Sequence, residues 1–168
     1  MSTNRIRRRS IRLSGYVYAK PGWYYITICT HDREQTLSSI RGGRVVPSIT
    51  GQIVLDVWRG VPERFRYACL DRFVLMPHHV HGIIAIRRMD PRASGATPRF
   101  GRSIPGVIAT IVGSFKSAST RLIHATGIVT GPVWQRNYYE RIIRDSDALR
   151  VVRRYIDNNP AAWERTHR

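Results

Sequence analysis

The sequence predicts an α+β fold, an antiparallel sheet with two helices on one face and an extra C-terminal helix that carries a functional side chain. Three observations predict it. Four stretches are rich in β-branched and aromatic residues, and three others hold apolar residues at helical spacing. Their order is β-α-β-β-α-β-α, whose first six members form a split βαβ, ferredoxin-like arrangement. At 168 residues the chain suits one buried core rather than two. No internal repeat is visible.

Residues 1–14 hold Arg5, Arg7, Arg8, Arg9 and Arg12 with little to bury, the pattern of a flexible basic arm. Residues 23–30, Trp-Tyr-Tyr-Ile-Thr-Ile-Cys-Thr, are the first strand. Ile53, Val54, Val57, Trp58 and Val61 recur at helical spacing, with Ser48 or Thr50 as cap. Residues 73–76 and 79–86 are two strands joined by a turn at Pro77-His78, and such a pair is antiparallel. Residues 87–103 contain Pro91, Ser94, Gly95, Pro98 and Gly101 without periodicity, a surface loop inside the domain rather than a boundary. A second helix follows, capped by Ser103, with Pro105 in its first turn. Ile104, Val107, Ile108, Ile111, Phe115, Ala118 and Leu122 form its stripe, and Gly127 ends it. Residues 133–143 supply a fourth strand. Residues 146–159 form a last helix stopped by Pro160, leaving 161–168 as a tail. One domain therefore spans 15–160.

The formal charge is +17 and the pI about 11.3, and Lys20 and Lys116 are the only lysines among 28 basic residues. Arginine forks match phosphate oxygens and stack on bases, so the balance favours nucleic acid over membrane or acidic protein, although a coding bias also enriches arginine. Two cysteines, Cys29 and Cys69, make neither a disulfide framework nor a zinc ribbon, which suits a reducing cytoplasm. No secretory signal and no apolar run long enough to span a membrane is present.

The chemistry concentrates in two places. Side chains alternate along a strand, so His79 and His81 present both imidazoles to one side, a metal-ligating geometry that ordinary strand histidines also adopt. On the last helix Leu149, Val152 and Ile156 form an apolar stripe, while Arg150, Arg153, Arg154 and Asp157 face away. Tyr155 and Asn159, about 40° apart in projection, lie at the edge of that stripe. The bland reading is a rim tyrosine beside a carboxamide. The functional one makes Tyr155 a nucleophile and Asn159 a third, oxygen-donating metal ligand, softened because the residue before a proline tends to leave helical geometry.

Three motifs now stand in order: Met76-Pro77-His78-His79-Val80-His81-Gly82, Trp134-Gln135-Arg136-Asn137-Tyr138-Tyr139, and Arg154-Tyr155-Ile156-Asp157-Asn158-Asn159-Pro160. Together with Pro21-Gly22-Trp23-Tyr24 they resemble the REP-associated tyrosine transposases, of the single-tyrosine HUH superfamily, from about Gly15 to Pro160. The family commonly has Asn or Asp where this chain has His78, which reads as a turn residue. The resemblance implies a nucleoid-associated cytoplasmic enzyme that cleaves and transfers single-stranded DNA at the hairpins of repetitive extragenic palindromes. Its cofactor would be Mg²⁺ or Mn²⁺ at His79 and His81, and its intermediate a 5′-phosphotyrosine on Tyr155. A hairpin-binding protein without cleavage is the alternative, and a homodimer stands beside a monomer.

Arg5, Arg7, Arg8, Arg9, Arg12, Trp23, Arg136, Arg153 and Arg154 are the expected DNA contacts, with Arg41, Arg44, Arg141 and Arg144 less distinct from a solvated face. Trp23, Trp134 and Tyr25 are either base-stacking or core aromatics. Tyr138 and Tyr139 are rival nucleophiles by residue type, but on a strand only one of them can face the site.

Overall fold

The computed structural model describes residues 21–87 and 107–167. The expected arm with Arg5, Arg7, Arg8, Arg9 and Arg12, the cap at Ser103 and the 87–103 loop beyond Arg87 lie outside the described residues. Strand β1 (Gly22–Cys29) leads into a hairpin, β2 (Ser38–Arg41) and β3 (Arg44–Pro47), then helices α1 (Ile49–Arg59) and α2 (Val61–Arg64). Strands β4 (Ala68–Met76) and β5 (His79–Ile86), helix α3 (Val107–Ala125), strand β6 (Tyr139–Ile143) and helix α4 (Ser146–Thr166) complete the chain. The main sheet has the order β4-β5-β1-β6, every neighbour antiparallel. This is the α+β, ferredoxin-like arrangement expected from the pattern of elements.

Period-two alternation divides the sheet between two cores. Tyr24, Ile26, Ile28, Val80, Ile84 and Ile86 face α1 and α3, where Val54, Trp58, Ile108, Ile111, Val112 and Phe115 cover them. Trp58 stacks on Phe73 at 4.7 Å and meets Phe115 edge-on at 5.7 Å. Gly82 makes room for it, since a Cβ there would lie 2.6 Å from the Trp58 ring. Across the sheet, Val74, Met76, Ile83 and Ile143 receive Ile156, Leu149, Val152 and Trp163 of α4.

Four expectations are corrected. The β2–β3 hairpin was not expected; four-residue strands give too short an alternation to read. Its Gly42-Gly43 turn, with φ of 57° and 69°, is tied to α4 by the Gly42 N–H donating to Glu164 at 2.8 Å. The fourth strand begins at Tyr139 rather than at residue 133, because Trp134 turns inward and its indole N–H donates to Ser119 at 2.9 Å. The buried stripe of α3 runs through Ser119 and Ile123, leaving Leu122 exposed. Finally, α4 does not stop at Pro160. The proline is buried inside a helix that continues to Thr166, and Trp163 beyond it packs against the α4-face core. At the start of α4 the Asp145 carboxylate accepts from the Ala148 N–H, and Ser48 caps α1 through the Gly51 N–H.

Candidate functional site

The register of β1 and β5 sets Thr27 opposite His81, and alternation brings Tyr25, Thr27, His79 and His81 to the α4 face. Both histidines are deeply buried, 9% and 5% exposed. Their Nε2 atoms lie 3.1 Å apart. The δ nitrogens point outward to partners: His81 Nδ1 lies 2.7 Å from the Tyr25 hydroxyl and 2.8 Å from Thr27 Oγ1, and His79 Nδ1 lies 3.0 Å from His78 Nδ1. Each ring is thus gripped on its δ side and turned ε side inward.

Burial pushes both imidazoles far below their usual range, His79 to about 3 with the neighbouring His81, His78 and Arg33 adding to the effect, and His81 to about 4. They are neutral at pH 7 and hold lone pairs for a Lewis acid. Burial also lowers His78, opposed by a backbone hydrogen bond and reinforced by Arg33 and His167. His78 sits in the Pro77-His78 turn as expected, and its ring meets Trp163 at 5.0 Å. Burial pushes the Tyr25 phenol up to about 12; the Thr27 hydrogen bond acts against this, and Tyr155 and Tyr139 act with it.

Helix α4 lays one edge along this cluster. The Tyr155 ring is 5.4 Å from that of His81 and 6.4 Å from that of Tyr25, edge-on to the latter, while Trp163 is 6.3 Å from His79. Asn159 stands one turn from each, between two residues that meet the histidines, and remains helical despite Pro160. Tyr155 is half exposed and lines a shallow groove with Val151, Arg154, Asn158, Asn159 and Ala162. Among the described residues, no three His, Cys, Asp or Glu side chains gather as a metal cluster.

The other expected residues divide. Tyr139 pairs with Thr27 and faces the site, 6.2 Å from Tyr25, whereas Tyr138 packs in the opposite core, its hydroxyl donating to Glu140 at 2.7 Å. Trp134 is core, not surface. Arg153 and Asp157 do not face away. An irregularity between Leu70 and Phe73 sets Asp71 and Arg72 against α4, where Arg153 pairs with Asp71 at 2.7 Å and Arg72 with Asp157 at 3.2 Å. Arg153 also lies over the half-buried Trp23, 5.6 Å from its centroid. Arg154 and Arg136 are exposed; the loop carrying Arg136 is pinned by Lys116, whose half-buried amine donates to the carbonyls of Gln135, Arg136 and Asn137. Thr27 and Trp163 escaped notice in the sequence. Pairing register finds the first, and extending the i,i+4 series from Tyr155 through Asn159 finds the second.

No protein-family model matches the chain. It is 37% identical over 163 residues to an uncharacterized protein of Haemophilus influenzae, covering 94% of this chain and 90% of that one. Among solved structures, a REP-associated tyrosine transposase bound to a REP hairpin superposes with a TM-score of 0.59 at 23% identity, covering 96% of this chain and 74% of that chain. No helix among the described residues is long and apolar enough to cross a membrane.

Proposed function

Since this chain belongs to one protein family with the Haemophilus influenzae protein and has the fold of the REP-associated tyrosine transposase, we propose that it is a metal-dependent endonuclease and strand transferase acting on hairpin-bearing single-stranded DNA. The observation that carries this reading is the approach of the Tyr155 ring to within 5.4 Å of His81, beside two ε nitrogens 3.1 Å apart.

The donor set fits a divalent cation. Two neutral nitrogens with lone pairs at that separation repel unless a proton or a cation lies between them. Donors at right angles around an ion of magnesium size, each about 2.1 Å from it, are themselves about 3.0 Å apart. The outer partners of the δ nitrogens leave the ε nitrogens free for coordination. His79 and His81 would hold Mg²⁺ or Mn²⁺, with the Asn159 carboxamide as third ligand, and the bound ion would polarise a phosphate oxygen and neutralise its developing charge.

Tyr155 attacks the scissile phosphorus in line. Its oxygen–phosphorus bond forms as the bond to the 3′ oxygen breaks, its proton passes to solvent at the exposed rim, and the departing strand takes up a proton as a 3′-hydroxyl. A 5′-phosphotyrosine remains, and a DNA 3′-hydroxyl reverses the exchange without an external energy source. Arg154 and Arg136 are exposed to meet the phosphate backbone, with Arg5, Arg7, Arg8, Arg9 and Arg12 adding to it. Arg153 and Trp23 would contribute from the groove that they line with Asp71 and Arg87.

The test is incubation with labelled hairpin single-stranded DNA and Mn²⁺, followed by a denaturing gel. A covalent protein–DNA band is expected, and it should vanish when His79 and His81 are both changed to alanine. Cleaved product without an adduct would point instead to water as nucleophile, and hairpin binding without cleavage to a binding protein.

A further inference from the structure

Tyr25 is not among the residues assigned to the reaction so far, yet it touches both halves of the site. Its hydroxyl is 2.7 Å from His81 Nδ1, its ring stacks on that of His81 at 5.5 Å, and it meets Tyr155 edge-on at 6.4 Å. Thr27 Oγ1 lies 3.3 Å from the same hydroxyl and 2.8 Å from the same nitrogen. Strand β1 is central in the sheet, paired on both sides, so this hydroxyl sits on a more rigid element than Tyr155, which projects from a helix packed on one face only.

We propose that Tyr25 is a positioning residue, accepting the His81 Nδ1–H and directing its own O–H to the Tyr155 oxygen. The inference rests on Tyr155 being the nucleophile. The hydrogen inventory supports it. An imidazole that offers Nε2 to a cation carries its one hydrogen on Nδ1, and that hydrogen needs an acceptor. Tyr25 and Thr27 are the acceptors in place. Once the phenol oxygen accepts, its own hydrogen must point elsewhere; two phenols stand beside it, Tyr139 at 6.2 Å and Tyr155 at 6.4 Å between ring centroids, and of these it is Tyr155 that is in hydrogen-bond contact with the Tyr25 side chain. A half-exposed nucleophile on a helix otherwise samples several rotamers; a hydrogen bond from a strand-borne phenol selects one of them. The alternative orientation, Tyr25 donating to His81 Nδ1, would move the imidazole hydrogen to Nε2 and block that nitrogen as a ligand.

Two measurements test this. In ¹⁵N-labelled metal-free protein, the His81 ring is expected to carry its hydrogen on Nδ1 and to show a coupling that weakens in Tyr25→Phe. A hydrogen on Nε2 instead would overturn the proposal, whatever the chain's activity. In the adduct assay at saturating Mn²⁺, Tyr25→Phe should lower the rate about 10–100-fold, the usual effect of removing an outer partner, while hairpin affinity stays within about twofold. A rate equal to the unaltered protein's, or restored fully by excess Mn²⁺, would overturn it. If neither protein forms an adduct, the nuclease reading fails while the ¹⁵N result still decides the hydrogen bond.

Discussion

The two faces of the sheet are made by alternate residues of the same strands, and they are finished differently. The α1–α3 face is closed by large apolar side chains, Tyr24, Ile26, Ile28, Ile84, Ile111 and Phe115 being essentially inaccessible. On the α4 face the same strands place Tyr25, Thr27, His79 and His81, and the covering helix buries only Ile156 and Pro160 fully. Helix α4 is held by a narrow apolar stripe, Leu149, Val152, Ile156 and Trp163, supplemented by polar ties: the Asp145 cap, the pairs with Asp71 and Arg72, and the Glu164 bond to the β2–β3 turn. Dense apolar packing fixes a fold, whereas polar groups kept together at a thinly covered face are spared for chemistry.

The largest expected difference between the faces is in the reaction itself. Tyr155→Phe removes one hydroxyl from a half-exposed ring, so stability should change by less than about 0.5 kcal/mol. The covalent adduct should fall below detection on the denaturing gel, with hairpin binding retained. An adduct that survives would move the nucleophile to Tyr139, the other exposed tyrosine of this face among the described residues.

The packed face should respond in the opposite sense. Phe115 meets Trp58 and Trp134 and is 2% exposed. Phe115→Ala should cost about 3–5 kcal/mol of unfolding free energy, measured by urea denaturation, through lost burial and the cavity left behind. At a temperature where the variant remains folded, its adduct rate should stay near normal. A rate that collapses in folded protein would mean that the two faces are more tightly coupled than their packing indicates.

This division also explains what was legible in the sequence. The four sheet strands and both packing helices were legible as elements, although the fourth strand begins at Tyr139 rather than at residue 133 and β4 at Ala68 rather than at residue 73, and their order was enough for the topology. His79 and His81 needed only strand alternation to be placed together. Less visible were features set by contacts distant in sequence. The hairpin of Ser38–Arg41 and Arg44–Pro47 is too short to show a period. The helix runs on past Pro160 to a Trp163 that packs against the sheet, and the turning-in of Trp134 depends on a serine fifteen residues earlier. Arg153 and Asp157 sat on the polar side of a helical wheel, yet a strand irregularity at Asp71 and Arg72 gave each a partner. Thr27 carries no motif at all, and only its register opposite His81 gives it a role.

The last expected effect concerns acidity, and its sign follows from burial. In the unfolded chain His79 and His81 take up protons near 6.5, whereas in the folded chain they stay neutral down to about 3 and about 4. The unfolded state thus binds more protons throughout that interval, so stability is full above about pH 6.5 and is lost as pH falls toward the folded values. For His81 the separation corresponds to about 3 kcal/mol at most. Thermal melts of the metal-free protein between pH 7 and pH 4 should show this fall, and a double variant with His79→Asn and His81→Asn should show a flatter curve. Every other ionisable group is common to both proteins, so the difference between the curves isolates the histidines. Equal slopes would mean that protons reach the two rings in the folded state, and the α4 face would then be open to water rather than thinly but effectively covered.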